Sequence, residues 1–200
     1  MRTVVITDTG FLPREAEAVA ALLDAGAWRV HLRKPGADAD AVAALLEEVP
    51  QRYRQRISMH DCNELSARYG IGGVHLNARN PLPPGGFTGM LSRSCHSFEE
   101  LAEYSTVCDY MFLSPVFDSI SKKGYTSRFP LDEIRRRSRE PDAGVGWERV
   151  FALGGVCPDN ISMVVDAGFG GAAVLGYLWE PYKRDADIDA LVRRFINVSI

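Results

Sequence analysis

The feature that most constrains this chain is an alternation. Eight short, mostly apolar runs recur along the 200 residues, at 3–7, 28–32, 56–60, 73–76, 89–95, 110–114, 150–154 and 171–176. Helix-like segments separate them. Residues 14–25 put Ala16, Val19, Ala20 and Leu23 on one side, with the i, i+3, i+4, i+7 spacing of an amphipathic helix. Similar segments lie at 38–49, 64–69, 98–104, 131–138, 158–167 and 187–196; Pro158-Asp159 suits the start of one and Gly168 its end. The strand runs are continuous rather than alternating in polarity, as expected when both faces of a parallel sheet are covered. Eight such units predict an α/β protein, a closed (β/α)8 TIM barrel forming one domain over 1–200. An open doubly wound sheet is the alternative. It would carry a glycine-rich turn after the first strand, whereas this chain has Asp8-Thr9-Gly10-Phe11.

Composition narrows the function classes. With 46% hydrophobic residues the chain can build one sizeable core. A net charge of −3 supplies no basic field for nucleic acid. No apolar run reaches the roughly 18 residues of a membrane span, and MRTVVITDTG lacks the apolar stretch of a signal peptide. The four cysteines form no C-x-x-C pair and read as reduced thiols of a cytoplasmic protein. The Ala16/Val19/Leu23 face fits packing on the barrel and fits a homo-oligomer equally.

Polar residues collect where the strands end. VHLRK at 30–34 and VHLNARN at 74–80 both run from apolar residues into hydrogen-bonding ones. The active sites of β/α barrels lie at the C-terminal ends of the strands. His31, Arg33 and Lys34 end the second run, His60 and Asp61 the third, His75, Asn77 and Asn80 the fourth, and Ser94 and His96 the fifth. All four histidines are thus expected at one polar, cationic rim. A lone Gly-Gly pair is a tight turn. Gly154-Gly155 after strand seven, with Gly176 after strand eight, stands where such barrels bind phosphate through backbone N–H groups. The sixth loop, SPVFDSISKKGYTS, sets Ser119 and Ser121 before Lys122 and Lys123. It reads as a phosphate-binding lid or as a solvated lysine loop.

In these residues the chain resembles the thiamine phosphate synthase family, which includes the related thiazole tautomerases. HLRK at 31–34 resembles its Q-x-R-x-K, HD at 60–61 its Asn-Asp, GVHLNARN its G-V-H-L-G-Q-x-D and SCH at 94–96 its S-x-H. DYMFLSPVFDSISK is similar to D-Y-x-x-x-G-P-V-F-x-T-x-T-K, and ALGGV and AAVLG to the two phosphate loops. The resemblance implies a (β/α)8 barrel that joins a hydroxymethylpyrimidine diphosphate to a thiazole phosphate and releases pyrophosphate. It implies that Arg33 and Lys122 bind the pyrophosphate, Asp61 holds Mg2+, Ser94 lies beside the leaving group, and Ser119, Ser121, Gly155 and Gly176 hold the thiazole phosphate.

There are departures from the pattern. The second metal carboxylate of the family falls at Asn80, whose carbonyl ligates more weakly; the asparagine before Asp61 is His60; the second basic residue after strand two falls at Pro35, beside Lys34; and the Gly-Gln pair is Asn77-Ala78. The phosphate loops match better than the diphosphate–magnesium site. A tautomerase, which needs no metal and would use His96 as its acid/base, is therefore the alternative enzyme. A thiazole phosphate-binding barrel without catalysis is the alternative outside enzymes.

Overall fold

The structure is a computed structural model that describes residues 1–118, 127–140 and 144–199. Its strands are β1 (Arg2–Ile6), β2 (Arg29–Leu32), β3 (Ile57–Met59), β4 (Gly73–Leu76), β5 (Met90–Cys95), β6 (Tyr110–Leu113), β7 (Val150–Leu153) and β8 (Gly171–Val174). Its helices are α1 (Glu15–Asp24), α2 (Ala39–Glu48), α3 (Leu65–Tyr69), α4 (Phe98–Tyr104), α5 (Leu131–Arg139), α6 (Ile161–Asp166), α7 (Gly176–Asp185) and α8 (Ile188–Val198). The strands pair in parallel in chain order, and β1 closes on β8 with Val4 opposite Ala173. This is the expected (β/α)8 barrel, and it excludes the open sheet.

Each strand sends alternate side chains inward. The inner set divides into two halves. On one side Val4, Ile6, Tyr110, Phe112, Phe151 and Ala173 pack as an apolar cluster. On the other, Arg29, His31, Ser58, His75 and Ser92 are buried and polar. Arg29 plugs the base of the barrel, donating to Ser58 Oγ and to the Ile57 carbonyl, each at 3.0 Å. Gly73 makes room for it: a Cβ there would lie 2.2 Å from Ser58 Oγ. The opposite strand faces carry Val5, Val30, Leu32 and their counterparts into a larger core beneath the helices.

Polar side chains start several helices. Asp38, Ser97 and Asp187 accept from backbone N–H groups of α2, α4 and α8. Helix α7 is absent from the periodicity reading, because GYLWEPYKRD is polar and holds Pro181 in its interior. Packing overrides that local preference. Leu178, Trp179 and Tyr182 are buried, Trp179 Nε1 donates to the Ile6 carbonyl, and Tyr182 OH donates to the Pro13 carbonyl.

Candidate active site

The C-terminal ends of the strands surround a cavity of about 590 Å³. Arg33, His60, Asn77, Ser94, His96, Gly154, Gly155 and Gly176 all line it, so the structure brings these predicted residues together. Ser119, Ser121 and Lys122 lie outside the described residues.

The histidine rim is corrected. Only His96 is exposed; His31, His60 and His75 fill the polar half of the barrel interior, where His60 and His75 still line the cavity and His31 does not. His31 and His75 lie within their strands, where the inward turn of alternate residues buries them. His31 is hydrogen-bonded to His60 Nε2 through Nδ1 (2.9 Å) and to Tyr110 OH through Nε2 (2.6 Å). With no exposure, it is not available to a substrate. His75 binds Ser92 Oγ at 2.9 Å and Ser94 Oγ at 3.1 Å. Burial holds all three imidazoles neutral: His31 and His60 fall well below the ordinary value, and His75 falls to about 3. Their nitrogens lie within 4.8 Å of one another, as a metal site requires. However, His60 and His75 stack at 4.0 Å with an 18° tilt. An imidazole lone pair lies in its ring plane, so two stacked rings direct theirs side by side and not at one ion. The cluster is a hydrogen-bonded core.

Lys34 is corrected too. Arg33 points into the cavity, so its neighbour on the strand path points outward. The Lys34 ammonium donates to Glu15 Oε1 and Oε2 at 2.7 and 2.9 Å and to the carbonyls of Asp8 and Gly10. Both side chains of this ion pair are almost fully buried. Burial lowers the Lys34 pKa and raises that of Glu15 against their mutual attraction. The pair ties the β1–α1 loop to β2 and leaves no donor for a ligand.

Arg33 differs. Its N–H donates to Thr7 Oγ1, but among the described residues its half-buried guanidinium has no hydrogen-bond or ion-pair partner. Burial, and then the like charge of Arg79, push its pKa down, while Asp61 and Asp8 pull it back up. A cation so placed favours an anion in the cavity. The other wall offers one a seat. Gly154 and Gly155 hold φ of +97° and +67°. The β6 loop packs so closely that a Cβ on Gly155 would lie 2.2 Å from the Asp118 carbonyl oxygen. Both glycines are therefore required, in a turn whose backbone faces the cavity. Beside it α7 begins at Gly176 with no side-chain cap, so its first N–H groups and dipole are open to an anion.

His96 sits between these walls. Its Nδ1–H donates to the Ser114 carbonyl at 2.9 Å, which leaves Nε2 as an acceptor. Asp61 and Asn80 lie off the cavity wall, behind Arg79. Arg79 Nε and Nη2 both donate to Asp61 Oδ1, at 2.9 and 2.7 Å. Asp61 Oδ2 is buried without a hydrogen-bond partner among the described residues. The side-chain amides of Asn77 and Asn80 donate to the His60 carbonyl, and this leaves the Asn80 Oδ1 as the atom for a cation. An orphaned carboxylate oxygen, with an amide oxygen on a side chain that is tied to the carbonyl of His60, the residue before Asp61, is a hard donor set that fits Mg2+.

Several cavity residues were not singled out in the sequence. Asp8 lies two residues past the end of β1, where the end-of-strand rule could have found it. Lys183 binds Asp8 at 2.7 Å and Glu180 at 3.1 Å, but it stands on the unpredicted α7. Burial pushes the Asp8 carboxyl up, yet the Lys183 ammonium and the Gly10 N–H bring it below its ordinary value. Arg79 lies within a quoted motif, at a position read only as a spacer, and Arg93 lies in the fifth strand run, directly before Ser94.

Comparison with known proteins agrees with this geometry. The family model for thiamine monophosphate synthase matches residues 3–178. A thiamine-phosphate synthase of Methylobacillus flagellatus is 30% identical over 200 residues, covering 94% of this chain and 88% of the relative. One from Nitrosococcus oceani is 28% identical over 192 residues, covering 88% and 83%. Among solved structures, thiamine phosphate pyrophosphorylase from Bacteroides thetaiotaomicron matches with a TM-score of 0.86 at 34% identity, covering 99% of this chain and 95% of that one. The enzyme of that name from Pyrococcus furiosus gives 0.73 at 20% identity and speaks for the fold alone. The chain belongs to the thiamine monophosphate synthase family.

Proposed function

We propose that this protein is a thiamine phosphate synthase. It joins a hydroxymethylpyrimidine diphosphate to a thiazole phosphate and releases pyrophosphate. The observation that carries this reading is the Arg33 guanidinium, without a hydrogen-bond or ion-pair partner among the described residues, facing a cavity whose far wall is a glycine turn and a helix start. Two anion seats across one cavity suit one diphosphate and one phosphate.

The chemistry needs electrostatics more than a nucleophile. The bond from the pyrimidine methylene carbon to the diphosphate breaks, and its electron pair leaves with pyrophosphate. The thiazole nitrogen lone pair then closes on that carbon. Arg33 meets the charge that develops on the leaving group. Ser94, its hydroxyl oriented by His75, donates beside it. The Gly154–Gly155 turn and the α7 start hold the thiazole phosphate and thus aim its ring nitrogen. Lys122, Ser119 and Ser121 enter on the family resemblance alone. Asp61 and Asn80 would hold Mg2+, which when bound offsets phosphate charge. Among the described residues no helix is long and apolar enough to cross a membrane, which fits a cytoplasmic enzyme acting on small phosphorylated substrates.

The test is Arg33→Ala. Product formation should fall about 30–1000-fold, the equivalent of roughly 2–4 kcal/mol of lost leaving-group stabilisation, while thiazole phosphate binding persists. Unchanged turnover would remove Arg33 from the mechanism.

A further inference from the structure

Arg79 occupies a position to which the family resemblance gives no role. Its side chain lines the cavity, is 54% exposed, and spends both contacting donors on one oxygen of Asp61, which is itself 10% exposed. Its backbone is fixed. The Arg79 N–H donates to Asn77 Oδ1, and the Asn77 and Asn80 amides are held on the His60 carbonyl. A pinned backbone with an exposed side chain lets the guanidinium swing without disturbing the loop. Arg33 lies close enough for the two like charges to oppose each other. Three guanidiniums line one cavity, those of Arg33, Arg79 and Arg93, and among the described residues only that of Arg79 is in an ion pair, an arrangement that favours a multiply charged anion.

We propose that Arg79 is a diphosphate-binding residue of this chain, and that its guanidinium shields Asp61 until a diphosphate draws it away. The inference rests on the transferase reading above. The pair is exposed on its arginine side, where water screens it and the guanidinium can be exchanged. A diphosphate offers a guanidinium more charge and two acceptors in fork geometry, which makes it the stronger partner. When Arg79 turns to the diphosphate, both oxygens of Asp61 become available to a hard cation. Diphosphate binding therefore promotes metal binding, and by linkage metal binding promotes diphosphate binding. Before the diphosphate arrives, the site needs no metal to keep Asp61 neutralised.

The test uses the full chain and two probes: inorganic pyrophosphate by calorimetry, in EDTA and again with Mn2+ present, and Mn2+ alone by electron paramagnetic resonance. Arg79→Gln should weaken pyrophosphate binding on the order of ten- to a hundred-fold, the loss of a charged hydrogen-bonding partner. The same variant should tighten Mn2+ binding about two- to five-fold, because the competing cation on Asp61 has been removed. Arg79→Lys, which keeps the charge without the fork, should fall between the two proteins for pyrophosphate. Shifts in opposite directions distinguish this role from loop damage, which would weaken both ligands. Unchanged pyrophosphate affinity in Arg79→Gln would overturn the binding role, and unchanged or weaker Mn2+ affinity would overturn the shielding. A wild-type protein that ignores pyrophosphate both with and without Mn2+ would overturn the transferase reading, and this inference with it.

Discussion

Acid should loosen this barrel at pH values where ordinary carboxylates are still ionised, and His75 shows why. Its imidazole is buried, and its pKa falls from the ordinary 6.5 to about 3. Below pH 6.5 the unfolded chain binds a proton there that the folded chain refuses, so stability is full above that value and declines as the pH falls towards 3. Between pH 7.5 and 5.0 this one residue costs about 2 kcal/mol. His31 and His60 shift in the same direction for the same cause. Ordinary carboxylates contribute little in this window, since they titrate near pH 4. Urea unfolding at the two pH values measures the loss. Comparison with His75→Gln isolates one histidine: the variant should be less stable at pH 7.5, having lost a partner for Ser92 or Ser94, yet its acid-induced loss should be smaller by about 2 kcal/mol. Should the variant fail to fold, NMR titration of the wild type reads the same quantity. A His75 ring that stays neutral at pH 5 agrees with the reasoning; one that protonates near pH 6.5 in the folded protein refutes it.

Three further outcomes follow from named contacts. Glu15→Gln should cost about 3–5 kcal/mol in chemical denaturation, because it leaves the buried Lys34 ammonium without its counter-charge; a loss below about 1 kcal/mol would mean that water reaches the pair. Gly155→Ala should lower stability by at least about 2 kcal/mol, since it forces a positive φ and a clash with the Asp118 carbonyl. It should also weaken thiazole phosphate binding in calorimetry. Asn80→Asp should raise Mg2+ affinity on the order of ten-fold by adding a full charge to the donor set, despite losing the amide's hydrogen bond to the His60 carbonyl; equal affinity in the two proteins would place the metal elsewhere.

The strands were legible because both of their faces are buried, and a short apolar run repeated between amphipathic helices rarely forms anything but a parallel strand. All eight runs form strands, most of them a residue or two shorter than their apolar stretches. The end-of-strand rule found Arg33, Asn77, Ser94 and His96, which do line the cavity. It failed for His31, which is fully buried and off the cavity wall, because depth along the barrel axis is a three-dimensional quantity; two residues of strand separate a rim from a core. It failed for Lys34 because adjacent residues on an extended path face opposite ways. Helix α7 was hidden by Pro181, whose local preference is outweighed by the burial of Trp179 and Tyr182. The contact of Arg79 with Asp61 joins two loops 18 residues apart, and no periodicity encodes where two loops meet.

The measurement that bears most directly on the transferase reading is a coupled assay. The protein is supplied with hydroxymethylpyrimidine diphosphate and thiazole phosphate, with and without Mg2+, while pyrophosphate and thiamine phosphate are quantified together. The two products should form in equal amounts, dependent on both substrates, accelerated by Mg2+ and lost in Arg33→Ala. Proton exchange on the thiazole phosphate that proceeds without Mg2+, disappears in His96→Gln and never yields thiamine phosphate would contradict the transferase.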